Sequence, residues 1–371
     1  MMSNEVIMLI LSIILSTFLF VAFIIPFIKR IAIHINAIDI PNQRKIHKTP
    51  TPRLGGVGIY FGFLLGYMLF GEPSTIMNAI LIGSFIIVLT GVIDDIKPLN
   101  ASTKFVGQLI AASIVVFYGN ILLKDIQAFG LYIDFGFFTY PLTIFFILGC
   151  INCMNFIDGL DGLAAGISAI YFLTIGIIAI IQKKFGLDFV LTFTMFGSTL
   201  GFLVYNFYPA SIFMGDSGSM FLGFVISIIA LLGFKNVTMT SLIIPLLILA
   251  IPILDVLFAI LRRFIKRQKI STPDKYHIHH QLLNRNLSQR TVVLIIYVIN
   301  LLFAMASIIY ILRSVTLGYI IYGVLLIIIL TFILRTNVVF TYNNNNGNNK
   351  NNKNNNKDNN NNNNYEENKR N

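Results

Sequence analysis

Apolar runs of bilayer length, separated by short polar or charged segments, dominate this chain. A membrane span needs about 20 mostly apolar residues. Eleven runs qualify, at about 5–28, 54–71, 76–93, 105–123, 141–157, 163–181, 188–207, 219–235, 240–261, 291–312 and 315–335. Each predicts a transmembrane helix. The first run is too long for the apolar core of a signal peptide, no basic region precedes it, and no small-residue cleavage site follows, so it reads as a retained span. Between the fourth and fifth runs, the stretch from Lys124 to Tyr140 alternates apolar and polar residues around Gly130, the pattern of a short hairpin.

Composition narrows the class further. Of 371 residues, 56% are hydrophobic and 12% charged, with a mean hydropathy of +0.78. A soluble globular chain carries roughly 25% charged residues; half that share cannot cover a surface facing water. A soluble enzyme is thereby excluded, and no second soluble domain of ordinary size fits. The expected fold is an all-α polytopic integral membrane protein, with one transmembrane domain over residues 1–335 and a tail over 336–371. Asn makes up 19 of the 29 residues from 343 to 371, a composition that cannot bury a core, so disorder without a catalytic role is expected there. Cys150 and Cys153 have the spacing of a redox or metal motif. They sit in an apolar segment, where inert buried thiols are the usual case.

Charge sets the orientation. The loops 29–53, 94–104, 152–162, 208–218 and 262–290, with the tail, hold 22 of the 27 Lys and Arg residues. The other side has Lys124, Lys183, Lys184, Lys235 and Arg313. The positive-inside rule places the first set in the cytoplasm, with the N-terminus outside and the C-terminus cytoplasmic, as expected of a multi-pass plasma-membrane protein. The net charge of +11 then favours anionic lipid and anionic substrates over nucleic acid. Fixing the topology explains most of these charges equally well.

The acidic, amide and histidine clusters all fall on that same side. Gly91-Val92-Ile93-Asp94-Asp95 closes the third run. An ionised carboxylate deep in a span costs about 2.5–3.5 kcal/mol, so two in succession call for a purpose or for the water boundary. Successive helical residues diverge by about 100°, so this pair cannot act as one symmetric clamp. One carboxylate could face a metal or a phosphate acceptor while the other holds Lys104 or Lys97. A solvated helix end is the plainer alternative.

Asn152, Asn155, Asp158 and Asp161 recur every third residue at the end of the fifth run, followed or interrupted by Gly159 and Gly162, which should break the helix and turn the aspartates into a cleft. Amides and carboxylates suit a hard cation such as Mg²⁺, and a nucleotide. A packing seam between helices would not need two aspartates and two glycines. The segment Gly215-Asp216-Ser217-Gly218-Ser219 precedes the eighth run. Ser217 or Ser219 is expected to cap that helix, leaving backbone N–H groups facing a Gly-rich loop whose aspartate suits a Mg²⁺–diphosphate site. Gly-Asp-Ser-Gly also matches a serine-hydrolase nucleophile, but that motif does not transfer between folds and needs a positioned base.

Two basic loops complete the face. The first, Arg44 to Gly56, includes Lys45, His47, Lys48 and Arg53, with Pro50 and Pro52 stiffening a cationic strip. The second, Arg262 to Arg290, contains His277, His279 and His280. Basic residues beside a Gly-rich helix start suit phosphates. The histidines lack the further paired ligands of a zinc site, so hydrogen bonding to sugar or phosphate is the better reading. Asp255 lies about two turns before Arg262 and Arg263 and is expected to pair with a cation. His34 reads as an interfacial residue. A transporter would place such polar groups near the bilayer midplane in repeated broken helices. Here they lie at one membrane face and no repeat is evident, which favours an enzyme over a transporter of an anionic solute.

Taken together, five ordered motifs resemble those of the polyprenyl-phosphate N-acetylhexosamine-1-phosphate transferase family, over residues 1 to about 335. They are Arg44 to Gly56, Asp94-Asp95 with Lys104, Asn152 to Gly162, Gly215 to Ser219, and Asp274-Lys275-Tyr276-His277-Ile278-His279-His280. The last is more similar to the branch that uses UDP-GlcNAc than to the phospho-N-acetylmuramoyl-pentapeptide transferases, whose histidines run consecutively where Ile278 intervenes here. The resemblance implies transfer of GlcNAc 1-phosphate from UDP-GlcNAc to undecaprenyl phosphate, giving undecaprenyl-diphospho-GlcNAc and UMP, in a lipid bilayer. It implies Mg²⁺, with Mn²⁺ as an alternative, held by Asp216 and Asn155, and Asp94 or Asp95 acting on the lipid phosphate. It further implies Asp161 at the uracil, supported by Asp158, with Asn152 also lining the substrate site. The three histidines would recognise the sugar side, and Lys45, His47, Lys48, Arg53 and Lys104 the phosphates. A homodimer is common among such proteins.

Overall fold

The computed structural model describes residues 4–41, 49–128, 131–233, 249–265, 278–283, 285 and 287–335. The side chains of 126–128, 131, 278–280, 315 and 332–335 lie outside that description. The elements in order are α1 (Asn4–His34), β1 (Ile38–Asp39), β2 (Thr51–Pro52), α2 (Gly55–Phe70), α3 (Thr75–Ile96), α4 (Ala101–Ser113), β3 (Asp125–Ala128), β4 (Leu131–Asp134), α5 (Thr139–Ile157), α6 (Leu163–Ile181), α7 (Leu187–Asn206), α8 (Gly215–Gly233), α9 (Ala250–Ile265), α10 (Ile278–Leu283), α11 (Gln289–Leu312) and α12 (Val315–Arg335). Among the described residues, eight helical segments are long and apolar enough to cross a membrane, and Gly55–Phe70 and Thr316–Thr331 are shorter apolar helices.

The bundle is organised around α8, whose residues Ser217 to Leu231 are all buried. α2, α3, α5 and α7 pack against it. Lipid is as apolar as leucine, so helices in a membrane gain from close approach and small residues mark the contacts. Gly58, Gly62 and Gly66 recur every fourth residue along α2, where a Cβ would collide with Ile25, Val21 with Ser198, and Thr194 respectively. Gly197 and Gly201 do the same on α7 against Thr17 and the Phe18 carbonyl of α1. Hydroxyls in the spans turn back on their own helix: Thr17 donates to Ile13 O at 2.8 Å and Ser198 to Thr194 O at 2.8 Å. Such bonds satisfy polar groups where no water is at hand. Large apolar side chains such as Leu11, Phe23, Phe145 and Val204 remain exposed on the outside of the bundle, where lipid would meet them.

Several limits differ from those expected, each for a local reason. α1 runs on to His34, beyond the expected 28, because the basic turn after the apolar core keeps helical geometry. α3 continues to Ile96, which puts Asp94 and Asp95 inside its last turn rather than in a loop. α4 gives way at Ile114–Tyr118 to a π-helical turn before Gly119. α8 begins at Gly215, four residues before the apolar run does, because α3 satisfies amides of its first turn. The expected span 240–261 lies partly outside the described residues. Its described part, α9, extends to Ile265 and turns Asp255, Ala259, Arg262 and Arg263 inward while Leu257, Phe264 and Ile265 face out.

The polar motifs gather at one end of the bundle, where α3 gives way to α4, α5 to α6 and α7 to α8. There the two-residue strands β1 and β2 pair antiparallel, Ile38 opposite Pro52 and Asp39 opposite Thr51. The expected hairpin forms at the other end, with β3 antiparallel to β4 and Asp125 opposite Asp134.

Candidate active site

The site is built on the junction of α2, α3 and α8. Phe213 N donates to Pro52 O at 2.8 Å, and Gly55 N and Gly56 N donate to Phe213 O and Met214 O at 3.0 and 2.9 Å. These bonds lay the approach to α8 along the start of α2. Gly215 then turns into the helix with φ +74°, in the left-handed region that favours glycine. A Cβ there would strike the carboxylate of Asp95; one on Gly91 would strike the backbone of Ser217, and one on Gly56 the backbone of Gly218. The three helices therefore meet at backbone distance.

Asp95 exploits that closeness. Its Oδ1 accepts from Asp216 N at 2.9 Å, and its Oδ2 accepts from Ser217 N at 3.1 Å and from Ser217 Oγ at 2.7 Å. The start of α8 is thus capped by a carboxylate from another helix. This corrects the expected capping by Ser217 or Ser219, both of which lie inside the helix. Ser219 Oγ donates instead to Gly215 O at 3.1 Å and accepts from Asn155 Nδ2 at 2.9 Å.

Asp94 points elsewhere, as the helical turn requires. Its Oδ1 accepts from Leu99 N at 2.8 Å, just past the end of α3. Its Oδ2 lies 3.2 Å from Lys104 Nζ, and the same ammonium is 2.8 Å from Asp216 Oδ2. Of the two partners foreseen for this pair of aspartates, Lys104 is the one engaged. One cation bracketed by two carboxylates leaves net negative charge, while the Lys104 side chain stays partly exposed.

Asn155 stands beside this cluster: Ser219, its partner, is three residues beyond Asp216 on the same face of α8. With Nδ2 donating, the amide oxygen is the group it can offer a ligand. Asn152 has a different setting. Its Nδ2 donates to Gln108 Oε1 at 2.9 Å and to Leu148 O at 2.8 Å, and Gln108 also reaches Met220 Sδ at 3.3 Å. This is an amide seam tying α4, α5 and α8 together. Burial, reinforced by the carboxylates of Asp216 and Asp95, pushes Asp158 up to about 8 against the opposing influence of Arg53. Asp161 Oδ2 accepts from Ala210 N at 2.9 Å, holding the 207–214 loop. Arg53 pairs with Asp39 at 3.1 Å across β1 and β2.

Asp94, Asp95, Lys104, Asn155, Asp158 and Asp216 are therefore brought together at one end, with Arg53 and Asp161 on the flanking loops. Lys45, His47, Lys48 and His277 lie outside the described residues, as do the side chains of His279 and His280 on α10. The sequence reading missed Ser217 and Ser219 as partners of the cluster, and Gln108 as the partner of Asn152. Gln108 was detectable as a lone amide in an apolar run. It also missed Tyr297 on α11, whose hydroxyl donates to Gly162 O, and Asn206, whose Oδ1 accepts from Gly162 N at 3.1 Å. No local signal marks Tyr297, whereas Asn206, like Gln108, is an amide in an apolar run.

Among the described residues, no three His, Cys, Asp or Glu side chains are grouped to enclose a metal ion. The donors present, the Asp216 carboxylate and the Asn155 amide oxygen, are few, hard and partly exposed. Such a set fits Mg²⁺, which keeps several waters and takes substrate phosphates as further ligands, and does not fit a closed structural site.

Known proteins resemble this chain in sequence. The sequence profile of glycosyl transferase family 4 matches residues 77–234, a stretch that runs from the first turn of α3 to the end of α8. The probable undecaprenyl-phosphate N-acetylglucosaminyl 1-phosphate transferase of Bacillus subtilis is 43% identical over 319 residues, 85% of this chain and 88% of that protein. A decaprenyl-phosphate N-acetylglucosaminephosphotransferase of Mycobacterium tuberculosis is 32% identical over 73% of this chain and 74% of its own length. An undecaprenyl-phosphate alpha-N-acetylglucosaminyl 1-phosphate transferase of Escherichia coli is 28% identical over 74% of this chain and 77% of its own.

Proposed function

Because the chain belongs to glycosyl transferase family 4, the polyprenyl-phosphate N-acetylhexosamine-1-phosphate transferases, we propose that it transfers GlcNAc 1-phosphate from UDP-GlcNAc to undecaprenyl phosphate. A lipid phosphate oxygen attacks the β-phosphorus of UDP-GlcNAc, the bond from that phosphorus to the bridging oxygen breaks, and UMP leaves. The lipid-linked product would start a cell-wall teichoic acid or surface polysaccharide. The site faces the cytoplasm of a plasma membrane in this reading, supported by the Lys and Arg asymmetry of the loops.

One observation carries the chemistry: Lys104 stands between Asp94 and Asp216 at the meeting of three helices. One phosphoanhydride is exchanged for another, so alignment and charge neutralisation must supply most of the catalysis. Asp94 and Asp216 hold the Lys104 ammonium where an incoming phosphate can take over part of its charge. The acceptor already bears an ionised oxygen near neutral pH, so a strong general base is not required, and Asp94 serves to orient the acceptor through Lys104. Asp216 and the Asn155 oxygen would hold Mg²⁺, which when bound supplies charge neutralisation at the diphosphate. Arg53 and the basic loop before it would meet phosphates, while Asp161 and Asp158 would line the uridine end. The histidines of the loop before α11 would meet the sugar.

Exchange of label from UMP into UDP-GlcNAc, in membranes containing the protein, tests the reading. Exchange that requires both undecaprenyl phosphate and Mg²⁺ supports direct in-line transfer. Exchange without lipid, or an aspartyl adduct of GlcNAc 1-phosphate trapped from UDP-GlcNAc alone, would replace it by a covalent route. No exchange under any condition would remove the assignment.

A further inference from the structure

Two adjacent aspartates close α3, and the structure separates their tasks. We propose that Asp95 is a positioning residue that grips the first turn of α8 and so sets where the Asp216 carboxylate stands, and that it does not meet the lipid phosphate. Its part in catalysis rests on the transfer reaction proposed above; the grip itself does not.

Three features support this. Both Asp95 oxygens are committed, one to Asp216 N and the other to the amide and hydroxyl of Ser217. The side chain is buried beneath the turn it holds, with 5% of the residue exposed. The surrounding glycines make the grip attainable. Gly91, one turn earlier on the same face of α3, lets that helix lie against the Ser217 backbone, and Gly215 leaves room for the carboxylate itself. At such a separation an aspartate reaches the amides, whereas the longer glutamate would have to displace α8.

The division of labour follows. Asp216 is held at its backbone by Asp95 and at its side chain by Lys104, which Asp94 in turn anchors. A carboxylate facing the amides of a helix start makes charge-assisted hydrogen bonds in the favourable sense of the helix dipole. It can therefore stay in place throughout a reaction cycle, while Lys104 remains the group free to change partners.

The test uses the purified full-length protein and its Asp95→Asn, Asp95→Ala and Ser217→Ala variants. Two quantities are read: amide hydrogen exchange in peptides covering 213–219, and kcat and KM for UDP-GlcNAc. An asparagine side chain keeps an acceptor for one of the two amides, so Asp95→Asn should speed exchange partially and lower kcat roughly ten- to a hundredfold, the equivalent of one charge-assisted bond. KM for UDP-GlcNAc should change less than kcat, since among the donor's contacts only the one at Asp216 is shifted. Asp95→Ala should release both amides and lose more activity. Ser217→Ala, which removes one of three bonds, should give the smallest change in both readings. Asp95→Asn as inactive as Asp95→Ala, with exchange at 213–219 as slow as in the wild type, would mean that Asp95 reacts directly and would overturn the proposal. Wild-type kcat in Asp95→Ala would overturn it too. If the wild type itself transfers nothing, the function assignment fails, and the exchange rates still decide whether Asp95 holds the turn.

Discussion

Two pairs of aspartates sit at opposite ends of the bundle and have opposite fates. Asp94 and Asp95 are 6% and 5% exposed, and each oxygen pair is met by amides, a hydroxyl or an ammonium. Asp125 and Asp134 face each other across the hairpin and are exposed. Water screens the second pair, so like charges can be tolerated there with little organisation. Where water is scarce an unpaired carboxylate is costly, and the first pair persists only because α4, α8 and the turn between α3 and α4 bring donors to it. The contrast separates charge that the fold must organise from charge that solvent handles.

The sharpest way to break the contrast is at Asp216. Asp216→Asn should cost about a thousandfold in turnover, the scale of losing a principal electrostatic group. Its thermal midpoint in detergent should stay near the wild type's, because Lys104 keeps Asp94. Near-normal turnover would remove the Mg²⁺ assignment. Lys104→Met comes next. It leaves Asp94 and Asp216 facing each other without their shared cation, so turnover should fall about a hundredfold, as on losing a preorganised charge. Here the midpoint should fall as well, and a variant of unchanged stability would show that water already screens the pair. Lys104→Arg should rescue stability better than turnover, since a planar guanidinium restores charge without the ammonium's point geometry.

What the sequence made legible divides along the same line. Apolar runs found the spans because hydrophobic length is a local property; α6 was placed at 163–181, as observed. The divergence of Asp94 from Asp95 followed from helix geometry alone. The cap on α8 did not, because its carboxylate comes from α3, 121 residues away along the chain. Asn152 likewise shares the spacing of Asn155 and Asp158, yet its amide is tied to Gln108, a partner that only packing reveals. Gly91 illustrates the remaining gap: in sequence it is one small residue in an apolar run, and its purpose depends on the Ser217 backbone opposite. Gly91→Ala should therefore wedge α3 from α8 and cost about 1–3 kcal/mol, the range for overpacking a tight contact. A loss of turnover larger than the loss of stability explains would show that the spacing serves Asp216 as well as the fold.

The smallest effect is expected at the far end. The Asp125 carboxylate, with a smaller contribution from Asp134, raises the phenol pKa of Tyr132 above its ordinary value. A negative neighbour disfavours the phenolate, so removing it should make ionisation easier. In Asp125→Asn the Tyr132 hydroxyl should titrate at lower pH than in the wild type, followed by ¹³Cζ-tyrosine NMR with Tyr132→Phe to assign the signal. Stability should change by no more than about 0.5 kcal/mol, as for an exposed surface substitution. Transfer activity should not change, since the hairpin lies a full helix length from Asp216. If Asp125→Asn instead altered turnover as Lys104→Met does, charge at the two ends would be coupled through the bundle, and the hairpin would belong to the working machinery.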